Sequence, residues 1–360
     1  MAASVLASSL RLDPVHFPNV PGERTVKCQF SCPFLAECLS SALRNDSNFS
    51  GFSIRSGGGS WRKACIPHGK RISHFAALHF HQTDIFALDS ILPSDGLVAA
   101  FADAARAAGE LALGFFRPGA RTSAEISRKD GGSPVTEADY LVDRFLKERL
   151  EALLPQAGWL SEETEDSSER LSKDVVLVVD PIDGTRGFAN GDRAWAIAIA
   201  LVVEQRPLIG VVHAPALQET YVAVREGGAR LNGQPIAVSK RSTLGAGAKV
   251  AAPAPLAEDL RRAGLSFDLQ PKIPSLAMRL VYVASGVLDA GFASENSHDW
   301  DIAAADLILH EAGGRLADLD GAALLYNRRD TRHGLLTAAP AQIHAEANAA
   351  ARRARLEKAG

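Results

Sequence analysis

No cysteine follows Cys65 in this chain of 360 residues, so no disulfide can staple its main body. The four cysteines, Cys28, Cys32, Cys38 and Cys65, all lie in the first fifth of the chain, and their spacing lacks the paired CxxC form of most zinc sites. Their absence elsewhere fits a reducing compartment such as the cytoplasm. No apolar run approaches the roughly 18 residues that span a bilayer, so we expect no membrane partner.

The chain also lacks a strong charge imbalance. Its formal net charge is −3, which argues against a nucleic-acid polymer as the main partner, because such partners usually leave a basic footprint. Hydrophobic residues make up 46% and charged residues 22% of the chain, as in ordinary globular proteins. The length suits one large domain or two modest ones.

Composition changes near residue 90. Every cysteine, half of the ten histidines and a run of three glycines lie before that point, where periodicity is weak. We therefore predict a poorly ordered N-terminal extension over residues 1–92 and a folded domain over residues 93–360. The serine-rich start, with no acid before Asp13, resembles an organellar transit peptide. The alternative, which we favour, is a start codon assigned too far upstream, and we then expect a cytoplasmic protein.

Helical and strand periodicities follow one another from about residue 95 onward. Apolar spacing predicts a helix over residues 97–116, ended by Pro118 and Gly119, and a second helix over Glu137–Leu153. Asn232-Gly233 predicts a tight hairpin. The remaining predicted strands cover residues 174–180, 195–204, 207–213, 219–225, 287–293 and 333–338, and the remaining predicted helices cover 275–285, 300–311 and 340–358. This mixture indicates layered α/β packing.

Two carboxylates stand at the end of the predicted strand over residues 174–180. A buried strand that ends in Asp180 presents an acid at the sheet edge, where α/β sites usually lie, and the turn at Pro181 returns Asp183 to the same place. Two close carboxylates repel unless one is protonated or a cation lies between them. Mg²⁺ takes one or two carboxylates together with waters and substrate phosphate. The alternative for this Asp-Pro-x-Asp-Gly segment is a plain surface turn.

Gly184 and Thr185 follow these acids at once. Glycine allows a ligand to approach the backbone closely, and free N–H groups at the start of a helix bind anions. A cation site and an anion site are then adjacent, which is the arrangement that phosphate-ester hydrolysis needs.

Three further acidic segments extend the pattern. Glu162 and Glu163 follow an apolar pair, Asp301 opens an apolar helix, and Thr136-x-x-Asp139 precedes the second helix. Each has an ordinary alternative: a solvated acidic loop for the first, an N-cap worth about 1 kcal/mol for Asp301, and a capping box for Asp139. Their occurrence together and in this order favours one shared site.

The chain resembles the inositol monophosphatase superfamily over roughly residues 95–345. The resemblance rests on GSPVTEAD (132–139), WLSEET (159–164), DPIDGTRGF (180–188) and WDIAAADLILHEAGG (300–314). It implies a layered α-β-α-β-α sandwich, commonly a homodimer, with Mg²⁺-dependent phosphomonoesterase activity on a small phosphate ester and inhibition by lithium.

The resemblance also implies a metal site. Glu162, Asp180 and the carbonyl of Ile182 would hold a first Mg²⁺. Asp180, Asp183 and Asp301 would hold a second, and a weaker third ion would lie near Glu162. Asp301 would also contact the substrate.

Catalytic roles follow from the same resemblance. Gly184 and Thr185 would offer backbone N–H groups to the phosphate. Thr185, paired with Asp139, would help to deprotonate the attacking water with assistance from Glu162. Lys129 would lie near the mouth of the site.

Two arginines bear on the substrate. Arg186-Gly187-Phe188 after the Asp-Gly-Thr triplet is more similar to the 3′(2′),5′-bisphosphate nucleotidases than to the inositol phosphatases, and Arg279 stands where those nucleotidases tend to have lysine. Two extra cations suit a second phosphate, because guanidinium groups bind phosphate in a forked geometry. The alternative is that both arginines form surface ion pairs.

Ser294 departs from the inositol enzymes, which place an acid there for sugar hydroxyls, although Glu295 stands one position away. We therefore favour 3′-phosphoadenosine 5′-phosphate, hydrolysed to AMP and phosphate. Inositol monophosphate is the second candidate and histidinol phosphate the third. The non-enzymatic alternative is an inactive family member that binds a ligand, and such a protein would normally have lost a metal ligand.

Overall fold

The computed structural model describes residues 93–129 and 132–359, together with three N-terminal strands: β1 (Val26–Phe30), β2 (Phe52–Ser56) and β3 (Arg62–Ala64). The chain divides into two compact units, Met1–Phe86 and Ala87–Gly360. In the first unit β2 pairs in parallel with β1 and antiparallel with β3. Most of the predicted extension over residues 1–92 lies outside the described residues, as do Cys32, Cys38 and Cys65, so its poor order stays a prediction.

The second unit alternates helices and strands along the chain. Its described helices are α1 (Asp95–Leu113), α2 (Glu137–Leu153), α3 (Thr185–Ala189), α4 (Ala254–Arg262), α5 (Leu276–Ala284), α6 (Asp299–Glu311) and α7 (Ala341–Ala359). Its described strands are β4 (Ile126–Arg128), β5 (Pro134–Thr136), β6 (Gly158–Ser161), β7 (Val175–Asp183), β8 (Ala196–Val203), β9 (Arg206–Ala214), β10 (Glu219–Val224), β11 (Gly228–Leu231), β12 (Gln234–Pro235), β13 (Lys249–Ala251), β14 (Asp268–Leu269), β15 (Ala290–Ala293), β16 (Ser297–His298), β17 (Gly314–Asp318), β18 (Arg332–His333) and β19 (Leu336–Pro340). None of the helices among these residues is long and apolar enough to cross a membrane.

Two sheets and three helical layers form the predicted α-β-α-β-α sandwich. The larger sheet has the strand order β12-β11-β10-β9-β8-β7-β6, and the smaller one has the order β14-β13-β15-β19-β17. Helices α1 and α2 share one core with the larger sheet, and α5 and α6 share a second core with both sheets. A third core joins the smaller sheet to α4 and α7. The layers therefore follow the order α1/α2, larger sheet, α5/α6, smaller sheet, α4/α7.

Strand β8 shows why the larger sheet is covered on both faces. Its eight residues are all buried. Ile197, Ile199 and Leu201 enter the core with α1 and α2, whereas Ala198 and Ala200 enter the core with α5 and α6. Successive side chains of a strand point to opposite faces, so both faces must be apolar. Helix α6, which carries Asp301, thus packs on the alanine-lined face of the sheet.

Gly210 lets α6 approach β9 closely. A Cβ atom at this position would lie 2.5 Å from the carbonyl oxygen of Ala304 in α6. We expect Gly210→Ala to lower the free energy of unfolding by about 1–3 kcal/mol, because the added methyl group would force the backbones of β9 and α6 apart. Chemical denaturation measures this loss. Gly245→Ala is the matched control, since no atom lies within 4 Å of its added Cβ, and an equal loss in both variants would contradict the packing argument.

Most of the predicted elements agree with the structure, and the differences have local causes. The first helix ends at Leu113 rather than at residue 116, with Gly114 as its C-cap. Strand β7 continues to Asp183, so the prediction that Pro181 breaks it was wrong. Proline has no N–H to donate to a neighbouring strand, but Pro181 breaks no inter-strand hydrogen bond here. Strand β6 pairs with β7 only as far as Val179, and the register between β7 and β8 shifts between Asp180 and Asp183.

Short elements were missed. Helix α4 and the β4–β5 hairpin do not appear among the sequence predictions, since nine and three residues give little periodicity to recognise. The Asn232-Gly233 hairpin agrees with the structure: both residues have positive φ angles, 48° and 81°, and join β11 to β12.

Candidate metal centre

Three acids from separate segments meet at one edge of the larger sheet. Glu162 follows β6, Asp180 lies in β7, and Asp301 lies in the first turn of α6. Each offers a carboxylate oxygen within 4.8 Å of those of the other two. Strands β6 and β7 are parallel, so their carboxyl ends reach the same edge, and the backbone N–H of Glu162 donates to Val179. The fold thus places these three carboxylates close enough to share a cation.

Asp180 is the most deeply buried member of the acidic cluster formed by Glu162, Asp180 and Asp301. Its side chain is buried, its Oδ1 accepts a bond from the N–H of Ile182 at 3.1 Å, and its Oδ2 has no hydrogen-bond partner among the described residues. Burial raises the pKa of Asp180 well above its usual value, and the charges of Glu162, Asp183 and Asp301 raise it further. A buried acceptor without a partner costs about 1–3 kcal/mol. A hard cation, which prefers oxygen ligands, would satisfy this atom.

Asp301 is the N3 residue of a capping box whose N-cap is His298, and it is also a member of the acidic cluster. Its Oδ2 accepts a hydrogen bond from the backbone N–H of His298 at 2.5 Å, which completes a capping box at the start of α6. Burial raises the pKa of Asp301 well above its usual value, and the charge of Asp183 adds to the effect. The capping alternative and the site prediction for this residue are therefore compatible.

Asp183 lies beside the acidic cluster but is turned towards α5. Its carboxylate accepts hydrogen bonds from Ser275 Oγ at 2.5 Å, from Ala277 N at 2.6 Å and from Leu276 N at 3.2 Å. Burial raises the pKa of Asp183 to about 6, although these bonds oppose the shift. Sequence reasoning missed Ser275, whose one local signal is its position as the N-cap of α5. Asp183 is not one of the three acids within mutual reach, and its role as a ligand stays a prediction.

Thr185 and Asp139 form a pair next to Asp180. Thr185 Oγ1 lies 3.0 Å from Asp139 Oδ1 and 2.9 Å from the carbonyl oxygen of Ile182. Asp139 Oδ2 accepts bonds from the N–H and hydroxyl of Thr136, so the predicted capping box is present as well. Burial raises the pKa of Asp139 to about 6. The Asp139 carboxyl group therefore completes the capping box at the start of α2 and also orients the Thr185 hydroxyl.

Gly184 makes the turn from β7 into α3. It adopts φ +90°, in the left-handed region that favours glycine. A Cβ atom there would also lie 3.0 Å from the backbone nitrogen of Ser275. Only glycine fits this position without strain, and both Gly184 and Thr185 are partly exposed.

Lys129 lies between the two acids that follow β6. Its Nζ is 2.8 Å from Glu162 Oε1 and 2.8 Å from Glu163 Oε1. Burial alone would lower the pKa of Lys129, but the charge and hydrogen bonds of Glu162 and Glu163 outweigh it and raise the pKa. Burial raises the pKa of Glu163 to about 7 despite the bond from Lys129. The ammonium group thus offsets part of the negative charge of the site.

Asp143 shapes the same loop, and the sequence predictions missed it. This buried carboxylate of α2 accepts bonds from Ser161 Oγ at 2.5 Å and from Thr164 Oγ1 at 2.6 Å, on either side of Glu162. The hydroxyls of the WLSEET motif therefore fix the loop that presents Glu162. The presence of Ser161 and Thr164 in this motif is the only sequence signal that they fix the loop through Asp143.

The residues predicted to select the substrate lie in different settings. Arg186 is exposed on α3 and has no ion pair among the described residues. Arg279 donates to the carbonyls of Phe292 at 2.8 Å and Ile273 at 3.2 Å, and burial lowers its pKa. Glu295 forms an ion pair with Arg355 of α7. Arg279 forms no salt bridge within the part of the chain that the structure describes, although the charge of Asp183 acts on it, whereas Glu295 is paired with Arg355.

Comparisons with known proteins agree with this geometry. A profile of the inositol monophosphatase family matches residues 95–357. The 3′(2′),5′-bisphosphate nucleotidase CysQ of Aggregatibacter actinomycetemcomitans is 33% identical over 217 residues, which cover 58% of this chain and 81% of that protein. Inositol monophosphatase 3 of Solanum lycopersicum is 31% identical over 242 residues, 64% of this chain and 90% of that protein. The solved IMPase of Thermotoga maritima has a TM-score of 0.63 at 26% identity, covering 74% of this chain and all (100%) of that one.

Proposed function

We infer that this chain, which belongs to the inositol monophosphatase family, is an Mg²⁺-dependent phosphomonoesterase. Enzymes of the family use Mg²⁺, and the acidic cluster of Glu162, Asp180 and Asp301 could hold a metal ion. The observation that carries the proposal is Asp180 Oδ2, a buried carboxylate oxygen without a hydrogen-bond partner among the described residues, at the point where the other two acids meet. An all-oxygen donor set of this kind suits a hard divalent cation.

The proposed metal ligands follow the family pattern. Glu162, Asp180 and the carbonyl of Ile182 would hold one cation, and Asp180, Asp183 and Asp301 would hold another, with a weaker third position beside Glu162. The bound cations supply activation of water and neutralisation of charge on the phosphoryl group. Lithium inhibition belongs to the same proposal.

The chain's own groups then position the proton transfer and the phosphate. The Thr185 hydroxyl accepts the proton of the attacking water as it passes its own proton to Asp139 Oδ1, 3.0 Å away, with help from Glu162. Backbone N–H groups at Gly184 and Thr185, which are partly exposed at the turn from β7 into α3, bind the phosphate oxygens. Lys129, which already neutralises Glu162, lies at the mouth and lowers the repulsion felt by an anionic ester.

For the substrate we propose 3′-phosphoadenosine 5′-phosphate, with AMP and phosphate as products. Two arginines support a second anionic group on the substrate: exposed Arg186, next to Thr185, and Arg279, whose partly buried guanidinium donates only to backbone carbonyls among the described residues. The name of the CysQ relative supports the same choice, and the inositol monophosphatase relative supports inositol monophosphate as the second candidate. Histidinol phosphate is the third.

Arg186→Ala tests the role of the second phosphate. We expect kcat/KM for 3′-phosphoadenosine 5′-phosphate to fall about tenfold, because a charge-assisted hydrogen bond contributes roughly 1.5–3 kcal/mol. We expect a change of less than about twofold for inositol 1-phosphate. Arg149→Ala on the exposed face of α2 is the matched control. Equal losses on both substrates would show that Arg186 contributes general electrostatics instead.

A phosphate-release panel tests the proposed function directly. The substrates are 3′-phosphoadenosine 5′-phosphate, inositol 1-phosphate, fructose 1,6-bisphosphate and histidinol phosphate, each with Mg²⁺ and with EDTA. We expect Mg²⁺-dependent release, fastest from the first substrate. Release from inositol 1-phosphate alone would favour the second candidate. Ligand binding without release from any of them would favour the inactive, ligand-binding alternative.

The assembly and the location are further parts of the proposal. We propose a homodimer, on the family resemblance, and a cytoplasmic protein, on the absence of cysteine after Cys65. Light scattering of the purified chain tests the first, and a molar mass close to that of one chain would contradict it.

A further inference from the structure

One loop bonds both to the segment that follows Glu162 and to helix α6, which carries Asp301. Residues 319–331 connect β17 to β18, and within this loop Tyr326 and Asn327 are buried. Loops usually lie at the surface, because their polar backbone needs partners. The burial of Tyr326 and Asn327 therefore requires specific bonds between this loop and the elements around it.

One set of bonds ties the loop to α6. The backbone N–H of Asn327 donates to Asp299 Oδ2 at 2.7 Å, and the Tyr326 hydroxyl donates to Asp306 Oδ2 at 2.7 Å. His333 Nε2 lies 2.7 Å from Asp299 Oδ1, so both oxygens of this fully buried carboxylate are used. Asp299 and Asp306 are two helical turns apart and so share a face of α6. Asp299 stands two residues before Asp301 in the first turn.

A second set of bonds ties the same loop to the segment after β6. The side-chain carbonyl of Asn327 accepts from Arg170 Nη1 at 2.7 Å, and its amide donates to the backbone carbonyl of Arg170 at 3.2 Å. Arg170 is only 2% exposed and also donates to Asp166 Oδ1 at 2.6 Å. It lies in a 3₁₀ turn a few residues beyond Glu162, and its Cβ packs against Gly158 at the start of β6.

We propose that Arg170 and Asn327 are positioning residues that set the separation between Glu162 and Asp301, and thereby the affinity of the site for its cation. The bonds run from Asp166, four residues beyond Glu162, through Arg170 and Asn327 to Asp299 in the first turn of α6. Groups that orient metal ligands typically change metal affinity or activity 10–100-fold when they are removed. The identity of the cation as Mg²⁺ rests on the proposed function.

Asn327→Gly removes both side-chain bonds to Arg170 and leaves the bond from Arg170 Nη1 to the backbone carbonyl of Arg328 at 3.1 Å. Asn327 has a φ angle of +57°, which glycine adopts freely, and its backbone N–H still reaches Asp299. We expect the Kd for Mg²⁺ alone, measured by isothermal titration calorimetry, to rise about tenfold. We expect kcat at saturating Mg²⁺ to stay within about twofold of wild type. Arg170→Lys keeps the charge but loses the forked bonds, and it should raise the Mg²⁺ Kd in the same direction.

Asn348→Ala is the matched control for a purely structural effect. Asn348 is as buried as Asn327, 8% exposed in both cases, and its amide donates to the carbonyls of Asp318 and Leu319. It lies in α7, where alanine is well tolerated. We expect a comparable loss of unfolding free energy with an unchanged Mg²⁺ Kd.

The outcomes separate the two proposals. Wild-type Mg²⁺ affinity in folded Asn327→Gly and Arg170→Lys overturns the positioning role while leaving the proposed function intact. An equal loss of Mg²⁺ affinity in Asn348→Ala overturns it as well, since any loss of stability would then have the same effect. Absence of Mg²⁺ binding by the wild-type chain overturns the proposed function and the positioning role together.

Discussion

We expect Asp180→Asn to lower kcat/KM by at least about 10³-fold and to leave the Mg²⁺-free protein no less stable than wild type. The loss is large because a bound cation provides several kcal/mol of charge stabilisation, and each 1.4 kcal/mol is a factor of ten. The stability is kept because burial and the neighbouring acids raise the pKa of Asp180. An amide relieves that repulsion and can donate to Glu162 or Asp301. Steady-state kinetics and chemical denaturation in EDTA measure the two effects.

The comparison with Mg²⁺ present makes this prediction specific. Mg²⁺ should raise the midpoint temperature of thermal unfolding of the wild-type protein but not that of Asp180→Asn. Only the wild-type protein retains the Asp180 carboxylate, which is proposed to bind both cations. Asp289→Asn is the matched control, since Asp289 is also a buried carboxylate but bonds to Ser239, Lys249 and Arg241. It should lose stability and keep activity. Near wild-type turnover in Asp180→Asn would refute the site assignment.

Thr185→Ala lowers kcat by about 10²–10⁴-fold, the range typical of a lost acid–base group. The hydroxyl lies 3.0 Å from Asp139 and 2.9 Å from the carbonyl of Ile182, and no other side chain among the described residues holds a hydroxyl in that position. We expect the Mg²⁺ Kd to change little, because the three clustered carboxylates are untouched. Single-turnover kinetics at saturating Mg²⁺ measure the chemical step.

Thr185→Ser separates the hydroxyl from the rest of the side chain. Serine keeps the Oγ and loses one methyl group, so its kcat should lie within about tenfold of wild type. If serine and alanine lose activity equally, packing by the methyl group rather than the hydroxyl is what matters, and the proton-transfer role is wrong.

The sequence predicted the elements that have a clear local pattern of apolar residues, and the family resemblance predicted how they are layered. Strand β8, buried on both faces, and helix α6 follow from apolar runs and spacing, and the layered sandwich follows from the resemblance. The acids predicted as metal ligands stand at strand ends or helix starts, where the chain itself gives a signal. The carboxylates of Asp139 and Asp301 each belong to a capping box, and Asp301 also lies in the acidic cluster, so a capping role does not exclude the role predicted at the site.

What the sequence could not predict depends on distant contacts. Ser275 meets Asp183 only because α5 begins beside the end of β7. Arg170 reaches Asn327 across 157 positions of chain, and no periodicity marks either residue. Arginine and asparagine are ordinary loop residues until the fold buries them together, and then their hydrogen bonds decide how the acids are held.

The central claim is that acids from separate segments converge to bind a divalent cation, and anomalous diffraction tests it most directly. Crystals soaked in Mn²⁺, which shares the oxygen preference of Mg²⁺, would be measured at the manganese edge. We predict a peak in contact with Asp180 Oδ2 and with the carboxylates of Glu162 and Asp301, absent in Asp180→Asn. A map without a peak at this cluster, under conditions where phosphate release is Mn²⁺-dependent, would contradict the account.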